Sequence, residues 1–447
     1  MKLFPIIFVF FICIFLSACH HPNSLNNADA ISSALPQPNH KLTQARPVSA
    51  TFHCDNNKIS QFYIQQSEIA PLSSRNQSQS AVVSIYSRGA HHFYQTQKLT
   101  VNFSGKYTKV EPLIGIACPD VVYVQPQGSA HFQTHFDAKS ISTLQHALYK
   151  FSNNEMRQAL WKNLWQSVKA GQLELDTFLN IIWVNAPYEK DEVIADFIIQ
   201  RLQQSHAFLE LMKPNHQEFA KQASIAMTQM SLRLTMEASP NSALQSLWFN
   251  AYVEFAQSNF SLSHLYRLLT AKNQLNGISP LDQKRRWNII RQLNRFQYRG
   301  SKKLLEQEVA RDTSTNGKQS AISAQVVRPN PALKHYWLTR IFNTQLTDTQ
   351  LASVMNSLYP VEQKELSKQT AEQRLNYILD LPKFDKPFTE MYLSNLLPIS
   401  CSQHLLDHID ALTENPVILS QQALYHLHKA KLQTQTCIRI KTKMQPD

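Results

Sequence analysis

The sequence predicts a mainly α protein with a small β domain, a β-sandwich followed by an α-solenoid of the HEAT or armadillo kind. Three observations predict it. Only eight glycines occur in 447 residues, with 43% of the chain hydrophobic, which disfavours an extended all-β architecture and supplies a large core. A stretch between residues 51 and 137 alternates at the strand period, as in Val82, Ser84, Tyr86 and Leu99, Val101, Phe103. From Ser140 onward the apolar period becomes helical.

The chain divides by composition into residues 1–19, 20–50, 51–137 and 138–440. Lys2 precedes an apolar run from Leu3 to Leu16, shorter than the ~20 residues that cross a bilayer and fitting an export signal. It ends in Leu16-Ser17-Ala18-Cys19, which resembles the lipobox of bacterial lipoproteins and makes Cys19 the expected lipidation site. Acyl chains contribute about 0.8 kcal/mol per buried CH₂, so several of them hold a protein on a membrane. His20 follows the cysteine where an aspartate would resemble an inner-membrane retention signal. The expected location is therefore the bacterial cell envelope, lipid-anchored in the outer membrane and facing the periplasm. Residues 20–50, rich in Asn, Ser, Pro and Gln, read as a flexible tether.

Turn signals between 51 and 137 suit a sandwich of about seven short strands. Beyond it Met156, Leu160, Leu164 and Val168 share one helical face, with Gly171 as a stop. Phe178, Ile181 and Ile182, then Pro187, then Val193, Phe197 and Ile198 repeat that logic as a hairpin. Hairpins of this kind bury their apolar stripes by stacking, and the stack presents a concave surface.

The densest pattern runs from Leu281 to Trp337. Trp287, Ile290 and Leu293 fall on one helical face, while Arg285, Arg291, Arg295 and Arg299 lie outside it. Residues 281–311 hold nine basic side chains against three acidic ones, in a chain of formal charge +12. Such a face attracts anionic peptide, lipid or nucleic acid. The export signal and the lack of aromatic interleaving exclude nucleic acid from the expected partners. Most of these arginines are expected in solvent, with Arg285 and Arg286 as candidates for holding a carboxylate.

The series Leu281, Asp282, Arg286, Trp287, Gly300, Glu308, Asp312, Gly317, Pro329, Lys334 and Trp337 resembles the C-terminal helical module of the aminopeptidase N family of zinc exopeptidases, in its bacterial branch. Ser314 stands near where that pattern has threonine. The run Met156 to Trp165 with Gly171 and Leu173 is similar to the first helices of the module. Residues 62–137, with Val101 to Gly105, Gly115 and Pro119 to Val122, resemble the β domain before it. The resemblance implies the back half of such an enzyme, with the solenoid's concave face lining a peptide chamber. Family members often carry Asn and Asp, then Tyr, where this chain has Gln125-Pro126-Gln127-Gly128 and His131-Phe132.

The family's zinc helix carries His-Glu-x-x-His, two imidazoles one turn apart with a glutamate to activate water. That motif is absent from this sequence, as is a Gly-x-Met-Glu-Asn-like strand. The chain is accordingly expected to be noncatalytic by itself and to carry no cofactor. His131 with His135, and His404 with His408, have helical metal spacing, and His426 and His428 follow. Among 17 histidines such spacings arise by chance, and they are read as ordinary surface or core residues. Apart from Cys13 in the signal and Cys19, four cysteines remain, Cys54 and Cys118 around the β domain and Cys401 and Cys437 near the end. In an oxidising compartment they read as two local disulfides, although four cysteines allow three connectivities and buried free thiols are the alternative. Three functions fit: a membrane-anchored module binding a peptide or protein, the C-terminal subunit of a split zinc aminopeptidase completed by a separate catalytic chain, and a structural envelope lipoprotein.

Overall fold

A computed structural model describes residues 46–66, 78–128, 130, 132–212, 216–270, 275, 277–278, 281–342, 346–414 and 419–444. The expected signal, Cys19, most of the expected tether and His131 lie outside the described residues.

Among the described residues seven strands form two sheets, β1 (Arg46–Asp55), β2 (Lys58–Gln66), β3 (Gln79–Arg88), β4 (Phe93–Phe103), β5 (Tyr107–Lys109), β6 (Val121–Pro126) and β7 (Phe132–His135). One sheet has the order β5-β2-β1-β7 and the other β4-β3-β6. β1 is antiparallel to β2 along its length but parallel to β7 only from Arg46 to Ser49. The first strand thus starts at Arg46, inside the stretch read as tether.

The sandwich core joins Val48, Ile59, Phe62, Ile64, Ala81, Val83, Ile85, Val101 and Phe103. This corrects the phase of β3. Ala81, Val83 and Ile85 point into the sandwich, while Ser84 is buried on the opposite face and Tyr86 packs there against Phe151 of the helical part. β3 is covered on both sides, so its alternation carries no signal of which face is inward.

Seventeen α-helices follow among the described residues: α1 (Ala138–Ala147), α2 (Asn154–Lys169), α3 (Leu175–Asn185), α4 (Glu192–Met212), α5 (Gln217–Glu237), α6 (Ala243–Phe255), α7 (Asn259–Thr270), α8 (Gln283–Arg295), α9 (Ser301–Arg311), α10 (Thr315–Val326), α11 (Pro331–Arg340), α12 (Asp348–Ser357), α13 (Lys364–Gln369), α14 (Ala371–Asn376), α15 (Lys386–Asn395), α16 (Gln403–Thr413) and α17 (Gln421–Lys443). None is long and apolar enough to cross a membrane.

The switch from strand to helix occurs at Asp137, whose carboxylate caps α1 by accepting from the Ser140 amide at 2.9 Å. The Ser140 hydroxyl in turn accepts from the Val122 amide of β6 at 2.9 Å, and Asn163 of α2 donates to the Tyr123 hydroxyl at 2.5 Å. Phe93, Val121 and Tyr123 belong to the same core as α1 to α6. Sandwich and helices therefore share one apolar interior across residue 137.

Leu160, Leu164 and Val168 are fully buried and Met156 packs at their margin. Gly171 ends the turn after α2 at φ +70°, where a side chain would also meet Arg439 of α17. Val193 departs from its expected face and is 62% exposed.

α4, α6, α8, α10, α12, α15 and α17 pack in succession, and α17 then packs on α2 and α4. Ala423, Leu427 and Ala430 of α17 sit in the last core cluster, whereas Cys437 and Ile440 sit in the first. Arg439 donates to the Lys169 carbonyl at 2.6 Å. The curved solenoid is thus closed on itself by its last helix.

Both cysteine pairs form disulfides, Cys54–Cys118 with Cα atoms 5.9 Å apart and Cys401–Cys437 at 5.1 Å. The second ties the segment before α16 to α17. Peptide mapping of the unreduced protein should recover both linkages, and Cys401→Ser with Cys437→Ser should cost about 3 kcal/mol of stability by denaturant titration. Full alkylation of the four thiols without reduction would contradict the pairing.

Candidate functional site

Asp282 caps α8 by accepting from the Arg285 amide at 2.8 Å, which sets Arg286 and Trp287 towards α9. There Glu308 is 2% exposed and receives a two-pronged hydrogen bond from Arg286, Nε to Oε1 at 3.1 Å and Nη2 to Oε2 at 2.7 Å. Gln283 donates to Oε1 at 2.8 Å, and Arg311 also donates to it. Burial pushes the Glu308 pKa up, but the hydrogen bonds from Arg286, Arg311 and Gln283 and the Arg286 charge outweigh it and hold the carboxyl at about 2.

Trp287 donates to Asp312 Oδ2 at 2.7 Å, and Asp312 Oδ1 accepts from the Ser314 hydroxyl at 2.6 Å. Ser314 caps α10 through the Gly317 amide at 3.0 Å. A β-carbon on Gly317 would stand 2.4 Å from the Asp312 carbonyl, so only glycine lets α10 start so close. Asp282, Arg286, Trp287, Glu308, Asp312 and Gly317 are therefore a single brace that fixes α8, α9 and α10. Arg285 donates to Ser246 at 2.9 Å and lies 5.8 Å over the Phe249 ring, tying α8 to α6.

These contacts narrow the expectation of solvated arginines, since Arg285, Arg286 and Arg295 are engaged within the chain while Arg299 is exposed. Arg286 does hold a carboxylate, but it is the chain's own Glu308. Arg295 is likewise drawn inward, with Nε 2.9 Å from Glu362 Oε2.

Glu362 was not legible as a site residue. It lies in the 3-10 turn Val361–Gln363 between α12 and α13, and its Oε1 is 2.9 Å from His206 Nε2 of α4. Burial opposes its charge, but Arg295 and the His206 hydrogen bond keep it ionised well below the usual carboxylate range. Gln363 next to it donates to the Val327 carbonyl at 2.7 Å. One turn thus joins α4, α8 and the end of α10. No local periodicity could announce a contact across 156 residues.

Lys334 and Trp337 on α11 are 2% and 7% exposed. Lys334 donates from Nζ to the Val326 carbonyl at 2.7 Å, and among the described residues no carboxylate pairs with it. Burial, with some repulsion from Arg295, lowers its pKa to about 7.

His135 ends β7 and is half-buried, whereas His404 is exposed on α16 and His408 half-buried. His426 of α17 turns to Glu390 of α15, 3.2 Å away, and His428 is exposed. Among the described residues no three His, Cys, Asp or Glu side chains converge as metal ligands, so the residues present do not fit the zinc of the resembled enzymes.

Glu308→Gln should cost about 3 kcal/mol by leaving Arg286 and Arg311 without their shared counter-charge. Because its folded pKa lies below the ordinary 4.5, Glu308 contributes stability above about pH 4.5 that is lost as pH falls towards 2, and the variant should lack that part of the acid transition. Lys334 has the opposite placement. Its folded pKa lies below the ordinary 10.5, so stability should fall from pH 10.5 towards 7 as the folded state resists protonation. The melting temperature of Lys334→Met minus that of the wild type should therefore rise across that window and level off below it. A difference independent of pH would show that Lys334 stays charged in the fold.

Comparison with known proteins agrees with this architecture. The family model described as the ERAP1-like C-terminal domain matches residues 121–427. Aminopeptidase N of Streptomyces lividans is 22% identical over 329 residues, covering 72% of this chain and 37% of that protein. The chain thus spans a little over a third of the length of that curated relative. With the matched region covering more than half of the sequence, from the last strands of the sandwich through most of the helical ring, this chain belongs to the ERAP1-like C-terminal domain family and corresponds to the C-terminal half of an aminopeptidase N-like protein.

Proposed function

We propose that the chain is a noncatalytic aminopeptidase N-like module, anchored in the bacterial cell envelope through lipid on Cys19, that binds a peptide or protein partner. The observation that carries this reading is the use made of the most family-like residues. Arg286, Trp287, Glu308 and Asp312 satisfy one another inside the helical brace and leave no group aimed at a substrate. The missing His-Glu-x-x-His and the lipobox-like Leu16-Ser17-Ala18-Cys19 support it from the sequence. A second reading, a C-terminal subunit completed by a separate zinc aminopeptidase chain, draws on the match to the ERAP1-like C-terminal domain.

The lipoprotein purified from its native envelope and supplied with zinc should release no amino acid from aminoacyl anilides or peptides. Chelator-sensitive turnover that follows the pure chain would end the noncatalytic reading. Recovery of an exported chain bearing the zinc helix as its partner would select the split enzyme. Cys19→Ser should move the protein to the soluble fraction, and its retention on membranes would remove the anchor from the proposal.

A further inference from the structure

The parallel pairing of β1 with β7 stops at Ser49 opposite His135, because the chain then leaves the sheet through Phe136 and Asp137 into α1. β1 continues to Asp55. Among the described residues no backbone group pairs with its outer edge from Ala50 to Cys54, roughly 16 Å of strand. The space beside that edge is a groove of about 610 Å³. Ser49 to Cys54 form one wall, His135 to Lys139 the other, and Cys118 and Gln172 complete it.

We infer that this groove takes an extended acidic peptide segment of a partner protein, which adds to β1 as a strand in the row that β7 vacates. The inference rests on the partner-binding reading and deepens it by naming the surface and the chemistry of what it recognises.

A bare strand edge specifies its occupant more narrowly than an apolar face does, since its N–H and C=O groups are matched in full by another strand. The edge is held in place. The Cys54–Cys118 disulfide fixes its far end, and Phe52 stacks on Phe62 at 6.0 Å behind it.

Charge selects an acidic segment. Lys139 is exposed on the α1 wall. Beyond Gln172, Gly171 lies against the Arg439 and Lys443 side chains. Of the residues lining the groove only Asp137 carries a carboxylate, and it is engaged by Ser140; Asp55, after Cys54, lies 3.3 Å from His53 Nε2, and Glu174 follows Gln172 by two residues. The chain's own residues 20–45 suit the site less well, being rich in Asn, Ser, Pro and Gln and bearing His40 and Lys41 near β1.

The test uses the full mature chain and two labelled peptides with the same Val/Thr alternation, one flanked by glutamates and the other by lysines. The glutamate peptide should bind more tightly and slow hydrogen exchange at Ala50 to Cys54. Ala138→Trp, which fills the groove from an exposed position, should weaken binding by at least about tenfold. Lys139→Glu should reduce or reverse the preference between the peptides. Undiminished binding to Ala138→Trp, no added protection at β1, equal affinity for both peptides, or full protection of that edge before any peptide is added would each overturn the inference. Crosslinking in the native envelope separates the two proposals. A partner captured equally by wild type and Ala138→Trp leaves partner binding standing without this groove, whereas no partner on the wild type removes both.

Discussion

A stack of helical hairpins buries an apolar stripe between successive members and leaves one stripe bare at each end, which repeat proteins ordinarily cover with polar capping helices. In this chain one helix meets both needs. The first half of α17 completes the core of the last hairpins through Ala423, Leu427 and Ala430, and its second half enters the first core through Cys437 and Ile440. Arg439 on the Lys169 carbonyl and the Cys401–Cys437 bond hold it across the junction. Closure makes the stability of early and late helices interdependent, unlike the nearest-neighbour additivity of an open solenoid.

Closure also explains where the buried charges lie. Removing a carboxylate from water costs several kcal/mol unless cations and hydrogen bonds replace its hydration. Glu308 and Glu362 meet that condition with arginines from a neighbouring helix, and each lies where elements change direction. Apolar packing of similar volume could fill such corners, but it would fix the crossing of helices less directionally than the Arg286 fork on Glu308 does. Lys334 departs from this pattern, since it spends its donor on a helix-end carbonyl and gives up charge instead.

What could be read in advance follows from the range of each signal. Trp287, Ile290 and Leu293 repeat within one helix, and all three are buried as their spacing requires. The change from strand to helix at Asp137 was legible from the local change of period, and the number of strands from local turns. The family motif was legible as a resemblance, whereas its role was not, because identity at separated positions does not reveal that Arg286 and Glu308 face each other. Glu362 with His206 was invisible for the same reason at longer range. β3 misled through its own composition, with apolar or small groups on both faces, and the double role of α17 went unread because a long helix that is polar on average hides two different buried stripes.

The same distinction between finished and unfinished surfaces separates the two parts of the molecule. Many described helix starts are capped by a side chain, as at Asp137, Asp282, Ser314 and Ser420, and Glu362 bridges α4 and α8. The sandwich retains a strand edge because β7 is short and its chain is pulled away to start α1. Exposed edges are normally blunted, since they invite association with any other strand. Here the bulge between His53 and Cys54 limits the run, and the α1 wall with Lys139 narrows access. An edge restricted in length and flanked by charge rejects indiscriminate pairing while leaving room for one strand of matching chemistry, which places selectivity in the residues of the wall and affinity in the backbone of β1.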